Sequence, residues 1–162
     1  MSLTKPPQCS GCPFEHRGQG YVPGEGPPSP RWAIIGQGPG SNEVALGRPF
    51  FDAFGRAGGK LTRQLEYAGL DRSTAWVDNA MRCRLVVKGQ DSAPPRAVDE
   101  CWRRHVGPTL KALEDQATER GEPLWVLWVG GPAMKLGLGA WANASCVGSL
   151  VTTQLPTIKE TT

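Results

Sequence analysis

Hydrophobic residues in this chain fall into short unbroken runs separated by amphipathic or polar stretches, and that order predicts strands alternating with helices. Arg31-Trp32-Ala33-Ile34-Ile35-Gly36 reads as a short buried strand ending in glycine. Residues 55–70, "GRAGGKLTRQLEYAGL", place Leu61, Leu65 and Ala68 at helical spacing and stop at Gly69, which predicts an amphipathic helix with a glycine C-cap. A second strand is expected from Ala75 to Met81, with polar residues at its end. A polar loop through Pro94-Pro95 then leads into a helix from about Arg96, expected to break near Pro108 and resume through Leu110 and Leu113. "LWVLWVGG", Leu124 to Gly131, has the continuous apolar run of a strand buried on both faces, with Trp125 and Trp128 in the core. A further strand is expected from Ser149 to Thr153. Strands alternating with helices imply an α/β layer fold with a mostly parallel sheet. The first thirty residues, crowded with Gly and Pro and without periodicity, read as an arm outside the core.

Length and composition narrow this only slightly. A chain of 162 residues suits one domain, here residues 1–162 with 1–30 as its arm. The formal net charge of +3 permits polyanion binding without demanding it. Met1 to Gln8 lacks the apolar run of a signal peptide and no stretch approaches the ~18 apolar residues of a membrane span, so a cytoplasmic, reducing location is expected. The five cysteines then call for a site-level explanation, because thiols in a reducing compartment are more often metal ligands than disulfide partners.

Two constellations carry candidate chemistry. The first strand delivers the chain into Gly36-Gln37-Gly38-Pro39-Gly40, at the strand's C-terminal end, where open α/β sheets hold ligands. A dinucleotide-binding turn would need a third glycine where Ser41 stands, and Pro39 removes an N–H that such a turn aims at pyrophosphate. The second constellation is the C-x2-C pair Cys9 and Cys12 in the arm, with Cys83 after the second strand and Cys101 in the next helix. Four thiolates from three elements suit zinc or an iron-sulfur cluster, with unpaired core thiols as the alternative. Cys146, far from the others, reads as a small buried hydrophobe.

Several ordered blocks together resemble one family: the C-x2-C arm, the Gly36 to Gly40 turn with Glu43, Gly47-Arg48-Pro49-Phe50, "RAGGKL" followed by "GLDR", "DNAMRCR", Cys101 and "LWVGGPAMKL". Over Cys9 to Gly139 the chain resembles the iron-sulfur, family 4, branch of the uracil-DNA glycosylase superfamily. The resemblance implies a three-layer α/β/α fold around a mostly parallel four-stranded sheet. It implies an enzyme that flips deoxyuridine out of DNA and hydrolyses its N-glycosidic bond. Phe50 would be the aromatic floor under uracil and Asn79 the amide that reads its edge, while Gly36 and Gly38 let backbone approach the base. Glu43 would hold the pocket or a water. Cys9, Cys12, Cys83 and Cys101 would bind a 4Fe-4S cluster, regarded as structural. The partner implied is uracil-containing DNA, bound by a monomer.

Two departures from the family pattern touch catalysis. Gln37 stands where the branch carries a glutamate; its amide can orient water but supplies no charge. The family's closing H-P-S motif is replaced by "LPTIKETT", which puts Lys159 in the place of the histidine that stabilises the departing uracil anion. Gln37, Glu43 and Lys159 are thus the candidate catalytic residues. Asp52 lies in a short insertion that the family pattern lacks. Arg82, Arg84, Lys88, Arg103 and Arg104 would gather on one side as a phosphate-binding patch. His16 and His105 match no catalytic position. Two further readings stand beside the enzyme: a catalytically reduced iron-sulfur DNA-binding module, part of a larger replication or repair polypeptide, and a zinc-stabilised nucleotide-binding protein.

Overall fold

The computed structural model describes residues 4–51 and 57–138. Its centre is a parallel sheet in the order β2-β1-β5, formed by β1 (Trp32–Gly36), β2 (Ala75–Asn79) and β5 (Trp125–Trp128). Ile34 and Ile35 are fully buried, and burying each contributes ~1.5–3 kcal/mol. Successive side chains of β1 point to opposite faces. Ala33 and Ile35 join a cluster with Val98, Trp102, Val106 and Leu110, whereas Ile34 joins Leu65, Val77 and Phe50. Helices therefore cover both faces: α2 (Ala57–Tyr67) on one, α3 (Pro95–Cys101) and α4 (Gly107–Glu119) on the other. The fourth strand expected from Ser149 to Thr153 lies outside the described residues, as do Asp52, Cys146 and Lys159.

The register sets the geometry at the sheet's C-terminal edge. Gly36 pairs with Asn79 across the β1–β2 ladder, and Ile35 pairs with Trp128 on the other side. The predicted helix C-cap is present: Gly69 takes φ +69°, its N–H bonds Glu66 O at 3.0 Å, and the Leu70 N–H bonds Leu65 O at 2.8 Å. A short helix that periodicity does not reveal, α1 (Ser41–Leu46), follows the glycine turn, its Glu43 carboxylate accepting the N–H of the N-cap Gly40 at 2.7 Å.

Several expectations need correction. The break near Pro108 is one π-helical turn, Trp102–Val106, that links α3 to α4 without ending the helix; the Gly107 N–H reaches Trp102 O, and Pro108, having no N–H, follows directly. The polar stretch before Pro94 contains a hairpin, β3 (Leu85–Val87) and β4 (Gln90–Ser92), whose turn residues Lys88 and Gly89 both have positive φ. Among the described residues β5 pairs only with β1, and its two faces differ: Val126 and Trp128 turn to the core while Trp125 is 52% exposed. An apolar run reports what a strand tolerates, not which neighbours cover it. The arm is also part of the core, since Val22 and Pro30 are fully buried and Tyr21 nearly so. It runs along the β2 side, making isolated antiparallel bridges at Gln19↔Arg84 and Glu25↔Val77. Extended Pro-rich chain packs well without periodicity, which is why the pattern concealed it. Among the described residues no helix is long and apolar enough to cross a membrane.

Candidate active site and thiol-lined cavity

At the C-terminal edge of the sheet, Gly36, Phe50 and Asn79 come together. A Cβ on Gly36 would lie 2.4 Å from Asn79 Oδ1 and 2.5 Å from Phe50 Cζ, so glycine alone allows the amide and the ring to meet over β1. The turn is fastened to the strand end beside it, with the Ala80 N–H bonded to Gly36 O at 2.7 Å and the Met81 N–H to Gln37 O at 3.2 Å. Gly38 rests near Met81. Asn79 is 2% exposed, yet its Nδ2 has no hydrogen-bond partner among the described residues. A buried donor left unpaired costs ~1–3 kcal/mol, which a ligand acceptor would recover.

The other turn residues have distinct positions. Gln37 is exposed, and its side chain leans over Gly130 at the end of β5, with Oε1 3.3 Å from where a Cβ would sit. Glu43 is not a solvated acid: besides capping Gly40, its carboxylate accepts the Phe50 N–H. Phe50 itself has φ +48°, in the left-handed region that costs a bulky residue ~1–3 kcal/mol and persists only where the surroundings enforce it.

Cys9, Cys12, Cys83 and Cys101 line one cavity together with Lys5, Tyr21, Arg82, Arg104 and His105. None of the four cysteines is in a disulfide. Burial raises the thiol pKa values of Cys9 and Cys83 and pushes Cys101 up to about 12. Nearby cations act in the opposite sense: Lys5 on Cys9 and Cys83, Arg104 on Cys9, Arg82 on Cys101. The Arg82 backbone N–H also donates to Cys101 Sγ at 3.2 Å. Among the described residues no three Cys, His, Asp or Glu side chains converge closely enough to hold a metal ion. Four thiols around one cavity, edged by Lys5, Arg82 and Arg104, are a donor set of the kind that zinc or a thiolate-ligated iron-sulfur cluster takes.

Sequence reasoning missed how that cavity is held. Arg104, read as part of a surface patch, straps the C-x2-C loop to the helix: it donates to Gln8 O at 3.0 Å and Ser10 O at 3.1 Å, and pairs with Glu100 at 3.0 Å. His105 Nε2 lies 3.3 Å from Cys9 Sγ, its pKa pushed down to about 4 by burial and by Arg82 and Arg104. Arg82 is buried, with its guanidinium paired to Asp78, Nε to Oδ1 at 3.1 Å, and bonded to Tyr21 Oη at 3.1 Å. Asp78 Oδ1 also accepts the Asn79 N–H at 2.8 Å, so one ion pair joins the cavity to the sheet edge. The expected phosphate-binding patch is correspondingly reduced: Arg84 pairs with Asp91, and Arg103 and Arg104 with Glu100.

A parallel sheet with helices on both faces, a buried unpartnered amide and an aromatic ring at its C-terminal edge, and a cavity lined by four thiols define an α/β protein with two distinct clusters of polar chemistry. The profile of the uracil DNA glycosylase superfamily matches residues 23–158, and the chain belongs to that superfamily. It is similar to the "Type-4 uracil-DNA glycosylase" of Thermotoga maritima, 38% identical over 77 residues, covering 48% of this chain and 38% of the relative. The proteins of the same description from Pyrobaculum aerophilum, 37% identical over 76 residues (47% of this chain, 37% of the relative), and Archaeoglobus fulgidus, 31% over 93 residues (57% and 44%), are also similar. The matched stretches thus span less than half the length of these relatives.

Proposed function

We propose that this chain is a uracil-DNA glycosylase-type repair enzyme that hydrolyses the N-glycosidic bond of flipped-out deoxyuridine and releases uracil. The observation that carries this reading is the buried Asn79 amide, its Nδ2 unpartnered among the described residues and its Oδ1 meeting the Phe50 ring over Gly36. A pyrimidine stacked on Phe50 would offer that donor a carbonyl oxygen, and flipping is what brings a base out of the duplex to such a site. Gly36 and Gly38 let the turn close over the base. Glu43 acts by holding the Phe50 backbone. Gln37, exposed in the turn, orients the attacking water through its amide, and Lys159 offers a cation to the departing uracil anion. The fold completes as three layers around a four-stranded sheet, with Ser149 to Thr153 as the fourth strand. Cys9, Cys12, Cys83 and Cys101 hold a 4Fe-4S cluster, which supplies a structural crosslink between the arm, the β2 end and α3. The enzyme acts as a monomer on uracil-containing DNA in a reducing, cytoplasmic setting.

The test is uracil release from a labelled single-stranded oligonucleotide with one deoxyuridine, under excess enzyme, with Gln37→Glu beside the native sequence. Release by the native protein establishes the activity and shows that an amide suffices in the turn. Release only from Gln37→Glu makes the native chain a catalytically reduced DNA-binding module with the defect in that turn. Silence from both, with DNA binding intact, refutes the enzyme reading.

A further inference from the structure

We propose that Arg72 is a positioning residue for uracil release, holding the Phe50 ring at the height and tilt at which a base can stack on it; this rests on the reading of Phe50 as the stacking ring. Phe50 occupies left-handed backbone space, φ +48°, which a phenylalanine does not adopt without external restraint. The restraint comes from both ends of the residue. On its amide side the Phe50 N–H is taken by the Glu43 carboxylate. On its carbonyl side the Arg72 guanidinium donates through Nη1 to Phe50 O and through Nη2 to Pro49 O at 2.8 Å. Two donors in one rigid plane match two successive carbonyls that the turn directs the same way, a geometry that a lysine ammonium cannot reproduce.

Arg72 is itself fixed, and fixed to the strand that carries Asn79. It opens a short helical turn, Arg72–Thr74, capped by Asp71, whose carboxylate accepts the Ser73 N–H at 2.8 Å and the Ser73 hydroxyl at 2.7 Å. That turn runs directly into β2. Glu25 lies 3.5 Å from Arg72 and binds Arg48 in a two-pronged pair at 2.8 and 3.0 Å, while its own backbone is bonded in both directions to Val77 of β2, at 2.7 and 2.9 Å. The turn Arg48–Pro49–Phe50 is thereby referenced to β2 through Arg72 and Glu25. The ring that stacks the base and the amide that reads its edge share one support.

The experiment compares native protein, Arg72→Ala and Arg72→Lys as full chains, with Arg31→Ala, an exposed ion-pair variant on the far end of β1, as control. Hydrogen exchange at the Phe50 amide is followed together with single-turnover uracil release and affinity for uracil-free DNA. Expected are faster exchange at Phe50 in both Arg72 variants with the β1 and β2 amides unchanged, and release slowed about 10²-fold in Arg72→Ala. Affinity for uracil-free DNA should stay at the native value, and added guanidinium ion should restore part of the Arg72→Ala rate. Native exchange at Phe50 in both variants overturns the proposal, as does a slowed rate that guanidinium does not raise. If Arg72→Ala fails to fold, Arg72→Lys decides alone, because it keeps the charge and loses the fork. Should native protein release no uracil, the functional reading fails by that result, whereas the exchange data still decide whether Arg72 holds Phe50.

Discussion

Asn79 carries a cost in the folded protein that the proposed uracil contact would relieve. Its Nδ2 is sealed from water with no acceptor among the described residues, so removing the amide takes away an unpaid desolvation. Asn79→Ala should therefore abolish most uracil release while leaving Tm at or above the native value, which single-turnover assays and thermal melts would check together. A Tm that falls by many degrees would mean that the amide is a structural element of the strand end. Phe50→Ala should lose release to a similar extent, about 10²-fold, because a base with no floor is no longer held in the reacting geometry. The residues at this edge were legible because short sequence blocks place them together: Gly36 and Asn79 end their strands, and Phe50 closes a turn. Arg72 was visible only as a letter in "GLDR", since nothing in that string says that its guanidinium folds back 22 residues to the Phe50 carbonyl and 23 to that of Pro49. Glu43 was expected to hold the pocket or a water, and each of its oxygens accepts a backbone N–H, from Gly40 and from Phe50.

At the scale of elements, the buried Asp78–Arg82 pair links β2 to the thiol-lined cavity. Asp78 is fully buried and Arg82 is 7% exposed, so Asp78→Asn would leave the guanidinium charge without its counterion and should cost ~3–5 kcal/mol, read as a lower urea midpoint. A double replacement by apolar residues of similar volume should recover much of that stability without recovering uracil release, since the Asn79 N–H also depends on Asp78. The pattern of apolar runs located β1, β2, α2 and β5 to within a few residues. It missed α1, whose signal is the capping pair Gly40 and Glu43 in place of a period, and it missed the β3–β4 hairpin, whose Lys88-Gly89 turn joins strands of three residues each. Pro108 advertised a break, and the chain instead widened one helical turn just ahead of it, keeping Cys101 and His105 on a continuous helix that meets the arm.

For the whole molecule, the arm is the decisive element. Periodicity placed it outside the core, whereas Tyr21, Val22 and Pro30 are buried and Cys9 and Cys12 close the cavity against Cys83 and Cys101. Purified protein should be brown, with broad absorption near ~400 nm, and Cys101→Ala should be colourless and melt at lower temperature because the arm loses its crosslink. Colourless native protein with stoichiometric zinc would contradict the cluster. Six consecutive residues, Asp78 to Cys83, contain the amide at the sheet edge, the ion pair behind it and one thiol of the cavity. Cys101 Sγ accepts the Arg82 backbone N–H, so replacing that thiol withdraws an acceptor from the very strand tip that carries Asn79, while the guanidinium keeps Asp78, Tyr21 and Thr109.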